Sequence, residues 1–204
     1  MGGKTRSGEQ AAQQQFGTSG RAAAFAASQR LNHLNSDMRA FIGRQDMVFI
    51  ATSDAAGGCD CSFRAGSVGF VHVLDERTLA YPEYRGNGVW SSVGNLLENA
   101  HIGLLFLDFT RTTVGLHVNG GGRILTTQEI LGLPHLPQAM RDAAQLTGGR
   151  RAETWVLVDV EEAYIHCSKH VPLMKRLDKH IAWGSDDENV KGGNCFKTKP
   201  NPST

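Results

Sequence analysis

The chain has 204 residues, enough for one domain with a sizeable core and short for two. Charged residues make up 20% and hydrophobic residues 40%, a globular balance; a formal net charge of +1 gives no electrostatic case for a nucleic-acid or membrane-surface binder. The longest apolar run, Ile102-Gly103-Leu104-Leu105-Phe106-Leu107, suits a buried strand and falls far short of the roughly 20 residues of a membrane helix. No continuous apolar segment follows Lys4 and Arg6, so no secretory signal is expected. The cysteines, Cys59, Cys61, Cys167 and Cys195, are irregularly spaced, unlike a disulfide framework, and a reducing, cytoplasmic setting is expected.

Residues 1–19 are rich in Gly, Gln, Ser and Ala and read as a mobile leader with little to bury. From Arg21 to Gln45 the apolar residues Phe25, Leu31, Leu34, Met38, Phe41 and Ile42 recur as one helical face, and Gly43 closes the stretch. Strand signals then take over. Met47–Thr52 is apolar and β-rich, Asp54–Gly58 is a turn, and Cys61–Arg64 and Gly69–Leu74 read as strands. Asp75-Glu76-Arg77 turns the chain into extended Thr78–Pro82, and Tyr84–Gly88 is a loop. Ser91–Asn99 reads as a short helix with Ser91 or Ser92 as N-cap. Long strands follow over His101–Phe109 and Thr113–Ile124. Thr126–Leu146 holds two short helices interrupted by Pro134 and Pro137. Thr154–Val160 alternates as a strand with Trp155 in the core, and Ser168–Lys179 is expected to be helical. The domain thus runs over 20–183, and 184–204 is a polar tail whose Asp186-Asp187-Glu188 is a solvated run.

Six or so strands with few helices between them predict a mainly β, α+β fold built on an antiparallel barrel or sandwich. The alternation of a doubly wound sheet is missing. So is a GxGxxG after the first strand, which leaves a Rossmann nucleotide site unsupported.

One constellation carries chemistry. The strand ending at Tyr81-Pro82 leads through a Gly/Asn loop into the helix that opens on Ser91-Ser92. A helix start offers free backbone N–H groups and the positive end of the dipole, which suits a phosphate. Asn87 and Asn95 add amides, and Arg64 and Arg85 add charge. On spacing alone, an ordinary capped helix explains the same residues. Other candidates weigh less. Cys59-Asp60-Cys61 with His166, Cys167 and His170 lacks the paired spacing of a structural zinc site. Cys167 beside Lys169 and His170 has no assignable partner for a nucleophilic role. Lys169 reads better as an anion contact, and Trp90 as a ring platform or a plug of the barrel rim.

The ordered set Phe63-Arg64-Ala65-Gly66, Gly69-Phe70-Val71-His72-Val73-Leu74-Asp75-Glu76-Arg77-Thr78-Leu79-Ala80, Gly86-Asn87, Asn95-Leu96-Leu97-Glu98-Asn99, Ile102–Leu107 and His117-Val118-Asn119-Gly120 resembles the pyridoxamine 5'-phosphate oxidase-like superfamily. More narrowly it resembles the branch of flavin-nucleotide-binding proteins, over roughly residues 30–180. The resemblance implies an FMN-binding split β-barrel with peripheral helices, a homodimer with FMN between subunits. It implies that Ser62, Phe63, Arg64 and Ala65 lie on the strand that passes the isoalloxazine and reaches toward the phosphate, with Tyr81 and Pro82 at the end of the neighbouring strand beside the cofactor. Asn87, Ser91, Ser92 and Asn95 would surround the phosphate or ribityl chain, and Asn119 would flank the ring. Cys167, Ser168 and Lys169 would reach the flavin from the second subunit. The activity implied is an FMN-dependent oxidoreductase, passing hydride from a donor such as NAD(P)H through the flavin to oxygen or a small acceptor. A non-catalytic carrier or sensor of FMN, haem or a deazaflavin, or a subunit of a larger redox complex, is the alternative. Two features depart from the family pattern: Phe63 stands where Pro usually precedes the Arg, and Val89-Trp90-Ser91-Ser92 has no basic residue.

Overall fold

The computed structural model describes residues 7–193 and 195–198. In chain order its elements are α1 (Ser7–Gln15), α2 (Ser19–Gln29), β1 (Arg30–Leu31), α3 (Ser36–Ile42), β2 (Met47–Ser53), β3 (Cys59–Ala65), β4 (His72–Val73), β5 (Thr78–Tyr84), α4 (Ser91–Glu98), β6 (His101–Leu107), β7 (Gly115–Leu125), α5 (Thr127–Leu131), α6 (Gln138–Ala144) and β8 (Ala152–His166). All strand pairs are antiparallel, in the order β3-β2-β6-β7-β8-β5-β4, with β1 added on β8. This is a mainly β, α+β fold, a split barrel whose end strands do not pair with each other.

Period-two alternation builds the interior. Val48 and Ile50 of β2, Ile102, Leu104 and Phe106 of β6, Val118 of β7 and Val156 and Val158 of β8 all point into one core. Each such side chain contributes about 1.5–3 kcal/mol by leaving water. A second core lies on the opposite face of β5 and β8, where α5, α6 and the link between them bring Ile130, Met140 and Leu136 onto Ala80, Trp155 and Leu157. β5 and β8 are therefore covered on both faces, and their runs are continuously apolar there rather than alternating. At a β-bulge between Asn119 and Gly120, a Cβ on Gly120 would stand 2.0 Å from the Asp159 carbonyl oxygen.

Several expectations need correction. The helical face from Arg21 to Gln45 is two helices. Arg30 and Leu31 leave the helix to pair with Tyr164 and Ala163, and Asn35 starts α3 by accepting from the Met38 N–H at 2.9 Å. Phe25 stays outside the core, edge-on to Tyr164. Ser168–Lys179 is not a helix: only a 3-10 turn, Ser168–His170, forms. Pro172 disfavours helical backbone at Val171 and supplies no N–H of its own. Gly69–Leu74 yields only the two-residue β4. In the stretch read as a leader, Ser7–Gln15 is helical and buries no residue, while residues 1–6 lie outside the described residues.

Candidate functional site

The side chains singled out from the sequence fall on three surfaces. The first is the outer face of the sheet. Strand register aligns Cys61, Ala51, Gly103, Asn119 and Glu162 in one row, and Phe63, Phe49, Leu105, His117 and Tyr164 in the next. Ala51 and Gly103 make a flat floor with almost no side chain. Asn119 stands at its edge, donating from Nδ2 to Glu162 Oε1 at 2.8 Å, and a Cβ on Gly103 would lie 3.1 Å from Asn119 Oδ1. That oxygen is thus an acceptor presented over the floor. Phe63 is 52% exposed and packs its ring 5.5 Å from that of Phe49.

At the far side of this face, His117 stacks on Tyr164 with ring centroids 4.7 Å apart, and its Nε2 meets His166 Nδ1 at 2.9 Å. Burial and the neighbouring His166 lower the His117 pKa against the pull of Glu162. Arg30 completes the group, 5.4 Å over the Tyr164 ring and 3.5 Å from Glu162.

The second surface is the gap between β3 and the unpaired end of β5. Asp60, Ser62 and Arg64 occupy the inward side of β3, opposite to Phe63. The Asp60 carboxylate accepts from the Ser62 hydroxyl at 2.8 Å and from the Ser92 hydroxyl at 2.9 Å, so strand and helix start are joined through one acid. Asn95, one turn on, donates to the Thr52 hydroxyl at 3.0 Å. Arg64 donates from Nε to both oxygens of Glu83, at 2.9 and 2.8 Å, and from Nη1 to the Phe63 carbonyl. Glu83 is only 5% exposed; burial raises its pKa and Arg64 counteracts this. Tyr81, two residues earlier on the same side of β5, is fully buried. Its hydroxyl has no partner among the described residues, and its pKa is raised by burial and Glu83 against Arg64.

The third surface is a groove of about 470 Å³ lined by Arg85, Asn87, Trp90, Arg151, Asp186 and Lys191 among others. Arg85 and Lys191 both pair with Asp186. Trp90 precedes α4 with φ 58°, left-handed backbone that a non-glycine residue adopts at a cost.

These positions correct the expected set. Tyr81 and Pro82 are buried, the first in the barrel core, and neither can face a ligand as the strand stands. Neither Ser91 nor Ser92 is the N-cap, which is Trp90, without a side-chain cap bond. Ser62, Ser92 and Asn95 do gather around one helix start, whereas Asn87 belongs to the groove and Asn119 to the outer face. Cys167, Ser168 and Lys169 follow the end of β8, with Cys167 and Lys169 exposed. Sequence reasoning missed Glu83 and any side-chain role for His117, and weighed Asp60 and His166 only as part of a zinc cluster. The signals were there: Asp60 and Ser62 share a strand face by period two, as do His117 and Asn119, and Glu83 is the one acid in the run Leu79–Tyr84.

A flavin ring fits the outer face, where a flat floor, an aromatic rim and an amide acceptor meet. The phosphate of FMN does not fit between Ser62 and Ser92. Both hydroxyls serve Asp60, and the Arg64 charge is met by Glu83. A second anion about 4 Å from a carboxylate costs on the order of 4 kcal/mol at a partly exposed site.

A split antiparallel barrel of this order, with a helix moored at its open edge, defines the class. A family model described as pyridoxamine 5'-phosphate oxidase matches residues 34–167, more than half of the chain, and the chain belongs to that family. No curated protein matches it. Among solved structures, the chain is similar to a histidine-to-alanine variant of HupZ from Group A Streptococcus (20% identity, 65% of this chain and 99% of that one, TM-score 0.48). It is also similar to a Clostridium acetobutylicum protein of the pyridoxinephosphate oxidase family (15%, 64% and 85%, TM-score 0.43) and to the heme storage protein HutZ from Vibrio cholerae (13%, 63% and 89%, TM-score 0.39). Among the described residues no helix is long and apolar enough to cross a membrane.

Proposed function

We propose that the chain is a flavin-dependent oxidoreductase, FMN being the flavin its family resemblance implies, with the ring laid on the outer sheet face. The observation that carries this reading is the floor of Ala51 and Gly103, which runs across adjacent strands to Asn119, roughly 10 Å in all at the usual strand spacing. That length and flatness suit a fused three-ring system. Bound flavin would supply the redox chemistry. The protein's own part is to orient the ring through Asn119 Oδ1, to cover one edge with Phe63, and to keep Asn119 in place through Glu162. A second copy of the chain closes the open face and brings Cys167, Ser168 and Lys169 to it. A reduced nicotinamide is the expected donor, and oxygen or a small molecule the acceptor.

Purified protein should carry a yellow flavin chromophore, or quench added flavin fluorescence. Asn119→Leu should weaken binding by about tenfold, the share of one buried hydrogen bond. Protein that neither carries nor binds flavin overturns the proposal.

A second reading is a haem carrier, favoured by the imidazole pair. His166 keeps Nε2 available on a half-buried sheet face while its Nδ1 is tied to His117, as an orienting partner ties a metal-bound histidine. A Soret band on haem addition, lost in His166→Ala, would support this reading over the first.

A further inference from the structure

Resting on the flavin reading, we infer that the side chains at the barrel's open edge recognise the ribityl hydroxyls of a flavin and not its phosphate, so that riboflavin is held at least as well as FMN. A hydroxyl-rich chain needs acceptors and exchangeable hydroxyl donors, whereas a phosphate dianion needs uncompensated cations. The edge offers the first set. Asp60 is an acceptor within 2.9 Å of two serine hydroxyls from different elements, and Asn95 stands one turn further along α4. The second set is missing. Arg64 is the one cation on β3, and its Nε is engaged by both carboxylate oxygens of a nearly buried Glu83. No basic residue opens α4, and the start of that helix already faces Asp60 through Ser92.

The test is titration of the full chain with riboflavin, FMN and lumiflavin, which lacks the ribityl chain, followed by intrinsic flavin fluorescence. Riboflavin should bind as tightly as FMN within about threefold, and lumiflavin about tenfold or more weaker, the share of a charge-assisted hydrogen bond. Asp60→Asn, which keeps size and one acceptor, should shift the preference toward FMN; circular dichroism checks that the variant folds. FMN binding tenfold or more tighter than riboflavin, by the same measure, overturns the inference and leaves the flavin reading standing. Loss of that FMN preference in Arg151→Ala would then assign the phosphate to the Arg85–Arg151 groove. Lumiflavin binding as tightly as riboflavin also overturns the inference. If none of the three binds, the inference and the flavin reading fall together.

Discussion

Single residues on the outer face behave in ways their chemical type alone does not announce. His117 would titrate near 6.5 in an unfolded chain, but burial and His166 lower its native value, with Glu162 opposing and Tyr164 stacked on the ring. The unfolded state therefore binds the proton first as the pH falls. The stabilising contribution is complete above about 6.5 and is lost as the pH drops through the lowered native value. The melting temperature should fall on acidification below pH 6.5, and His117→Gln should flatten that slope. A slope unchanged in the variant would assign the effect to other groups. Gly103 works by absence: its missing side chain keeps the floor flat and leaves room for Asn119 Oδ1.

At the scale of elements, the barrel's weak point is the gap where β3 and β5 run without pairing. Three things close it: the Arg64–Glu83 ion pair between the two strands, the Asp60 link from β3 to α4, and Leu96 of α4, buried against the space that Gly122 leaves open. The ion pair is nearly buried on the Glu83 side, so removing one partner strands a charge. Glu83→Ala should cost about 3 kcal/mol or more in urea unfolding, while Arg64→Met with Glu83→Leu should recover most of it. A double variant no more stable than the single one would mean that the pair itself is strongly stabilising. The sign of the pH effect is opposite to that of His117. Because burial raises Glu83 above its ordinary 4.5, its contribution is present below that value and is lost as the pH rises through the native one.

For the whole molecule, the outer sheet face is too apolar to be only a solvated surface. Met47, Phe49, Phe63, Leu105 and Leu107 lie on it, partly or largely exposed and next to one another. The proposed second copy would cover them and complete the ring site. Light scattering after size exclusion should give twice the chain mass, and Phe63→Asp should give the monomer together with weaker flavin binding. A monomeric wild-type protein would remove the intersubunit part of the proposal.

Much of this architecture was legible in the chain alone, because strand alternation and turn residues are local signals. β2, β6, β7, the two short helices before β8, and α4 all lie where apolar period and punctuation put them. The ordered family pattern carried this to a split barrel; the fold itself joins Ser62 to Ser92 through Asp60. What the sequence did not disclose depends on partners far away in the chain. Arg64 reads as a free cation until Glu83, 19 residues on, turns out to face it across the split. Asp60 reads as part of a cysteine cluster until the fold brings Ser92 to it from 32 residues away. The break after Gln29 follows from β1 pairing with β8, which no local propensity encodes. Residue pattern determined the elements and their inward faces; only the closing of the sheet on itself decided which charges remain free for a ligand, because that is settled by pairing between strands that are distant in sequence.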